Sequence, residues 1–111
     1  MADCVFCKIA SKTIPSAIVY ETADVVAFKD LTPRAPLHVL VIPRTHVAKL
    51  SELEDEALGG KLLQAARTVA KNAGHADNFR VVVNNGDTAG QSVWHLHLHV
   101  LAGRQFTWPP G

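Results

Sequence analysis

The sequence predicts an α+β domain: a five-stranded antiparallel sheet, one long helix packed on it, and a short helix near the N-terminus. Three observations carry that expectation. Five segments of strand composition and one of helical period follow one another through short connections. The segment from Ser51 to Gly74 has the length and apolar spacing of an amphipathic helix. The stretch His95-Leu96-His97-Leu98-His99-Val100 alternates strictly, so a strand there carries its aliphatic residues on one face and three imidazoles on the other.

Each element has its own warrant. Cys4 to Ala10 forms a short helical turn, broken by Thr13-Ile14-Pro15-Ser16. Ile18–Glu21 and Val25–Phe28 are short strands joined by Thr22-Ala23-Asp24, a hairpin spacing. Lys29 to Pro36 is a proline-punctuated loop, and His38–Pro43 is β-branched and nearly continuous, as a buried strand is. Ser51-x-x-Glu54 has the form of a capping box, which predicts the start of the long helix. Leu58, Leu62, Ala66, Val69 and Ala73 follow at helical spacing, and Gly74 is placed to end it. Gly59-Gly60 inside that run costs roughly 1 kcal/mol per glycine relative to alanine. Phe79–Asn84 is a further strand, and Asn85-Gly86 opens a polar loop that reaches Ser92. The tail from Arg104 to Gly111 has no regular signal, and no repeat or low-complexity segment is present. If the helix covers one face of the sheet, the histidine face lines a groove on the other.

Composition narrows the function. A chain of 111 residues is expected to form one domain with a real core. With 48% hydrophobic and 19% charged residues it has the profile of an ordinary soluble globular protein. A net charge of +1 gives no reason to expect nucleic acid as a partner, yet leaves room for a small phosphorylated ligand. Neither a leader-like start nor an apolar run of about 20 residues is present, so no membrane is expected and the location is expected to be cytoplasmic. There the two cysteines stay reduced unless something ligates them.

A lone histidine such as His75 reads as an ordinary surface or satisfied core residue. Three alternating with large aliphatics do not, because burying several imidazoles together costs stability unless each has a partner. Two chemical uses compete. His-x-His on a strand makes a metal bidentate, and a histidine near neutral pKa also serves as nucleophile or general acid. The loop from Asn84 to Ser92 offers amides, a hydroxyl and flexible backbone N–H groups beside the histidines, a suitable lining for phosphate without a P-loop signature.

The stretch His95-Leu96-His97-Leu98-His99-Val100-Leu101 resembles the histidine triad signature. The chain is similar to the Hint branch of that family along about 100 residues. Phe28-Lys29-Asp30-Leu31, Ala35 to Pro43, Val83-Asn84, Gly90-Gln91-Ser92 and Trp108-Pro109-Pro110-Gly111 fall in the family's order. Trp94 stands where many such sequences have tyrosine, a change confined to packing. The resemblance implies a dimerising HIT-like fold and hydrolysis of purine nucleoside 5′-phosphoramidates and related conjugates such as aminoacyl adenylates, with AMP or GMP as product. It implies that His97 attacks the α-phosphorus to form a nucleotidyl-histidine. His99 and His38 then bond the phosphoryl oxygens and hold the working tautomer. Ser92 lies near the leaving group, Gln91 and Asn84 on the phosphate side, and Asp30 at the ribose hydroxyls. Phe6, Ile9, Phe28 and Leu31 enclose the base, and Trp108 reaches from the partner chain. Without the resemblance, Asp30 reads as a turn acid before Thr32-Pro33, and the four apolar residues as core.

Cys4-x-x-Cys7 lacks the βαβ context of a redox motif. In bacterial proteins similar to this one, such a pair holds zinc with the histidine of a Pro-x-x-His turn and the first triad histidine. Here those are Cys4, Cys7, His46 and His95, a closed and therefore structural set, with no catalytic metal required. The alternative for the cysteines is two free buried thiols. The alternatives for the protein are a zinc-dependent hydrolase using His95, His97 and His99, and a nucleotide-binding scaffold with vestigial chemistry.

Overall fold

The computed structural model describes residues 3–111; residues 1 and 2, the start of the segment read above as carrying no leader, lie outside them. The elements are α1 (Val5–Ala10), β1 (Ile18–Glu21), β2 (Val25–Lys29), β3 (Leu37–Pro43), a 3-10 turn (Leu50–Glu52), α2 (Glu56–Asn72), β4 (Arg80–Val82) and β5 (Leu98–Ala102). All four strand pairs are antiparallel, in the order β1-β2-β3-β5-β4. The expected fold class is the observed one.

The near-continuous apolar character of the central strands has a direct cause: both faces of the sheet are covered. Val25, Ala27, Val39, Val41, Leu98 and Val100 point to α2, against Leu62, Ala65, Ala66, Val69 and Ala70. Val26, Phe28, Leu40 and Ile42 point the other way and meet Phe6, Ile9 and Ala10 of α1. Alternation at period two therefore builds two cores instead of one core and a wet face. Because α1 has only six residues, it covers one part of its face and leaves the rest open. That opening is the groove expected on the histidine side. Among the described residues no helix is long and apolar enough to cross a membrane.

Three elements depart most from the sequence-based expectation. The long helix does not begin at the Ser51 capping box. Asp55 is its N-cap, accepting from the Leu58 N–H at 3.1 Å, while the Ser51 N–H donates to the Asn85 side-chain oxygen at 2.8 Å. Serine and aspartate cap comparably, so a tertiary bond decided between them. The helix then runs unbroken through Gly59-Gly60. It ends as expected: Gly74 adopts φ +86°, and the His75 and Gly74 N–H groups close back on the Ala70 and Lys71 carbonyls.

The strands β4 and β5 are shorter than expected, covering 80–82 and 98–102 in place of 79–84 and 95–100. The chain bends through 93–95, and the Leu96 N–H donates to the Val47 carbonyl at 2.7 Å rather than to a strand. The alternation survives this: Leu96, Leu98 and Val100 all enter the α2 core.

Candidate functional site

Four histidines on the α1 side of the sheet are each held in one tautomer, three by a backbone group and His99 by the His38 side chain. The Arg34 N–H donates to His38 Nδ1 at 2.9 Å. An amide N–H can only donate, so neutral His38 carries its proton on Nε2. That nitrogen lies 2.9 Å from His99 Nδ1 and donates to it, which leaves His99 with its proton on Nε2. His38 and His99 are near-opposite across the β3–β5 pairing, where Leu40 faces His99 and His38 faces Leu101. His97 is arranged the other way. Its Nδ1 is 2.8 Å from the His95 carbonyl, an acceptor only, so Nδ1 carries the proton and Nε2 keeps a free lone pair. His95 in turn donates from Nε2 to the Pro43 carbonyl at 2.8 Å and keeps its lone pair on Nδ1.

Burial keeps the relay neutral. His99 is pushed down to about 4, by burial first and then by the neighbouring His97 and His38. Burial likewise lowers His38, with Arg34 adding to the effect and Asp30 opposing it. The unfolded chain therefore binds protons on these groups below about pH 6.5 where the folded chain does not. Stability is fully present above that pH and is lost as pH falls toward 4. For His99 alone the loss is of order 2–3 kcal/mol. Urea denaturation from pH 7 to 4.5 should show it, and His99→Asn should flatten the slope. An unchanged slope in that variant would place the acid sensitivity elsewhere.

Two cavities meet at this relay. The first, about 400 Å³, is walled by Phe6, Ile9 and Phe28, with Leu31 at its mouth, and reaches His97 and His99. Phe6, Ile9 and Phe28 are buried, whereas Leu31 is 96% exposed, so it edges the cavity without enclosing it. Sequence reasoning missed Val93, Leu40 and Ile14, which also line it; nothing distinguishes them from ordinary core residues in the sequence. The second cavity, about 350 Å³, is polar and contains Arg34, His38, Asn84 and His99. Ser92, Asp30 and Thr32 lie on both. Asp30 is placed as a turn acid: Oδ1 accepts from the Thr32 N–H and hydroxyl, while Oδ2 sits 3.4 Å from His38 Nε2.

Two expected residues are not at the cavities. Gln91 is buried beneath the loop, its amide donating to the Ala48 and Val93 carbonyls and accepting from the Gly86 N–H. It braces the loop and lines neither cavity. Trp108 is 83% exposed and lines neither cavity of its own chain.

A second cluster lies behind His97. Cys4, Cys7, His46 and His95 bring their sulfur and nitrogen atoms within 4.8 Å of one another. His95 Nδ1 is 3.3 Å from Cys4 Sγ and 3.5 Å from Cys7 Sγ, and His46 Nδ1 is 3.4 Å from Cys7 Sγ. Burial, then Cys4, pushes the Cys7 thiol up, so a thiolate pair here calls for a cation. Two sulfurs and two imidazole lone pairs, one fixed by the outer Pro43 carbonyl, suit a closed tetrahedral zinc site. The cysteines bracket one turn of α1, whose Phe6 packs edge-on to His97 and Phe28 at 5.3 Å. The metal set and the apolar cavity thus share a helix.

The three triad histidines do not converge as a metal site: among the described residues no group of donor atoms unites His95, His97 and His99. Asp30, His38 and His99 do approach one another, but both ring nitrogens of His38 are occupied by hydrogen bonds. The zinc-hydrolase alternative therefore lacks its ligand set.

Comparison with known proteins agrees with this geometry. The HIT domain model matches residues 11–106. A protein of Zea mays named "14 kDa zinc-binding protein" is 49% identical, over 96% of this chain and 87% of its own. The Arabidopsis thaliana protein named adenylylsulfatase HINT1 is 46% identical, over 96% of this chain and 76% of its own. The crystal structure of a HIT family hydrolase from Legionella pneumophila superposes with a TM-score of 0.95 at 42% identity, covering 98% of this chain and 100% of that one.

Proposed function

Since the chain belongs to the histidine triad (HIT) family, we propose that it is a nucleotidyl hydrolase acting on purine nucleoside 5′-phosphoramidates and related conjugates such as aminoacyl adenylates. The observation that carries this reading is the division of tautomers: His97 has a bare Nε2, while His99, 5.0 Å away between ring centres, has an Nε2–H. One nitrogen attacks and the other donates.

In this reading the base occupies the apolar cavity between Phe6, Ile9 and Phe28, and Asp30 accepts the ribose hydroxyls. Asn84 contacts the phosphate. The His97 Nε2 lone pair forms a bond to the α-phosphorus as the phosphorus–nitrogen bond to the leaving group breaks. Ser92 gives its hydroxyl proton to the departing amine and recovers one from the water that attacks in the second step. Water then attacks the phosphorus, the His97–phosphorus bond breaks, and a nucleoside monophosphate leaves. Splitting the substitution lets a fixed nucleophile replace a poorly placed water. The His99 N–H, aligned by His38, stabilises charge on the phosphoryl oxygens as it develops. Zinc on Cys4, Cys7, His46 and His95 supplies no chemistry to these steps; it fastens α1 to the sheet.

The reading also includes a homodimer. The sheet ends in the short edge strand β4, and Trp108 is too exposed for a free aromatic tail. Phe106 is pinned to its own chain by Arg80 and Arg104, at 5.0 and 4.3 Å from its ring centre, and the Thr107 carbonyl accepts from Arg80 at 3.0 Å, which leaves the residues from Trp108 onward to reach a partner. Truncation after Thr107 should alter selectivity among leaving groups more than affinity for a nucleoside monophosphate. Sedimentation showing a monomer at micromolar concentration would contradict the arrangement.

The test is a steady-state screen of adenosine and guanosine phosphoramidates without added divalent metal. Turnover with release of the monophosphate is expected. Tight nucleotide binding without turnover would instead favour the scaffold alternative.

A further inference from the structure

The polar cavity contains one group that the relay does not use. Arg34 is the only lysine or arginine lining it. Its backbone is fixed at both ends, the N–H on His38 Nδ1 and the carbonyl accepting from Arg104 Nε at 2.8 Å. Its guanidinium has no ion pair or hydrogen bond among the described residues. A cation is therefore anchored on the wall of a cavity whose other ionisable members are two neutral imidazoles and Asp30. The carboxylate of Asp30 is turned to Thr32 and His38.

The position of that wall gives the cation a role. The two cavities join at Ser92, His99, Asp30 and Thr32. On the nucleotidyl-hydrolase reading, with the base in the apolar cavity and His97 attacking, the phosphorus lies at this junction and the departing group extends into the polar cavity. The first cavity is lined mainly by apolar side chains, and its one cation, Lys29, is exposed at the end of β2.

We propose that Arg34 selects conjugates whose leaving group carries an anion, the carboxylate of an N-linked amino acid or a sulfate, beside the scissile bond. This rests on the nucleotidyl-hydrolase reading and specifies its substrate class. An exposed charge-assisted bond of this kind changes rates by about tenfold, and less at high salt. Substitution leaves the backbone bonds to His38 and Arg104 in place, so the relay is kept.

The experiment compares adenosine 5′-phosphoramidates of glycine and of glycinamide, which differ in one charge, with adenylyl sulfate as a third substrate. For Arg34→Gln the ratio of kcat/KM for glycine over glycinamide should fall about tenfold. Arg34→Lys should restore part of it, and Arg34→Glu should take it lower still. A matching fall for adenylyl sulfate assigns the selection to anions in general; a fall for glycine alone assigns it to carboxylates. An equal fall for glycine and glycinamide would move Arg34 to the α-phosphate and overturn the proposal, as would no change. Absence of turnover by the unmodified protein would instead overturn the underlying reading.

Discussion

Replacing His97 with alanine should lower kcat by about 10³–10⁵-fold, the range typical of a deleted nucleophile, while AMP still binds. The two effects separate because His97 supplies a reacting nitrogen but only one edge of the apolar cavity. Phe6 keeps its contact with Phe28 when the imidazole is gone. His99→Ala should cost less, about 10²–10³-fold, as loss of one preset donor does. It removes the Nε2–H that His38 aligns, and leaves the His97 lone pair fixed by the His95 carbonyl. Single-turnover kinetics beside calorimetric titration with AMP would check both variants. Equal losses would mean that the two imidazoles act as an undivided pair.

The second large effect is on stability. Purified under reducing conditions without chelator, the protein should carry close to one zinc per chain, and Cys7→Ala should lose it. A closed site contributes its binding free energy to folding, so the variant should lose on the order of 3 kcal/mol, or roughly 10–20 °C in Tm. The consequence for function follows from α1. Phe6 and Ile9 sit on the helix that Cys4 and Cys7 anchor, so nucleotide affinity should weaken more than kcat falls. Elemental analysis showing no metal in reduced, metal-replete protein would remove the zinc site from the account.

The parts of this molecule legible in the sequence are those written in side-chain periodicity. Alternation at 95–100 placed Leu96, Leu98 and Val100 in one core and the imidazoles opposite, although the strand itself begins only at Leu98. Apolar spacing and Gly74 marked the body and end of α2; its start was misread because Asn85, distant in sequence, captures the Ser51 N–H. The gathering of Cys4, Cys7, His46 and His95 was expected from family resemblance, since Cys-x-x-Cys spacing alone is a weak signal that leaves two free thiols as the alternative. What stayed hidden was the work of backbone groups. The carbonyls of His95 and Pro43 and the N–H of Arg34 set three tautomers, and the fourth, that of His99, through His38, and main-chain atoms leave no compositional trace. The bracing by Gln91 was hidden for a related reason: its three bonds go to backbone partners that a sequence does not reveal.

The claim on which the rest depends is that His97 becomes covalently nucleotidylated. Rapid acid-free quenching of a slowly hydrolysed adenosine phosphoramidate, followed by peptide mass spectrometry, tests it directly. An adenylyl adduct on His97 is expected, labile in acid and stable in alkali as a phosphorus–nitrogen bond is, with overall retention at phosphorus. A label on Ser92, or inversion at phosphorus with no adduct, would mean that water attacks directly and that His97 acts only as a base.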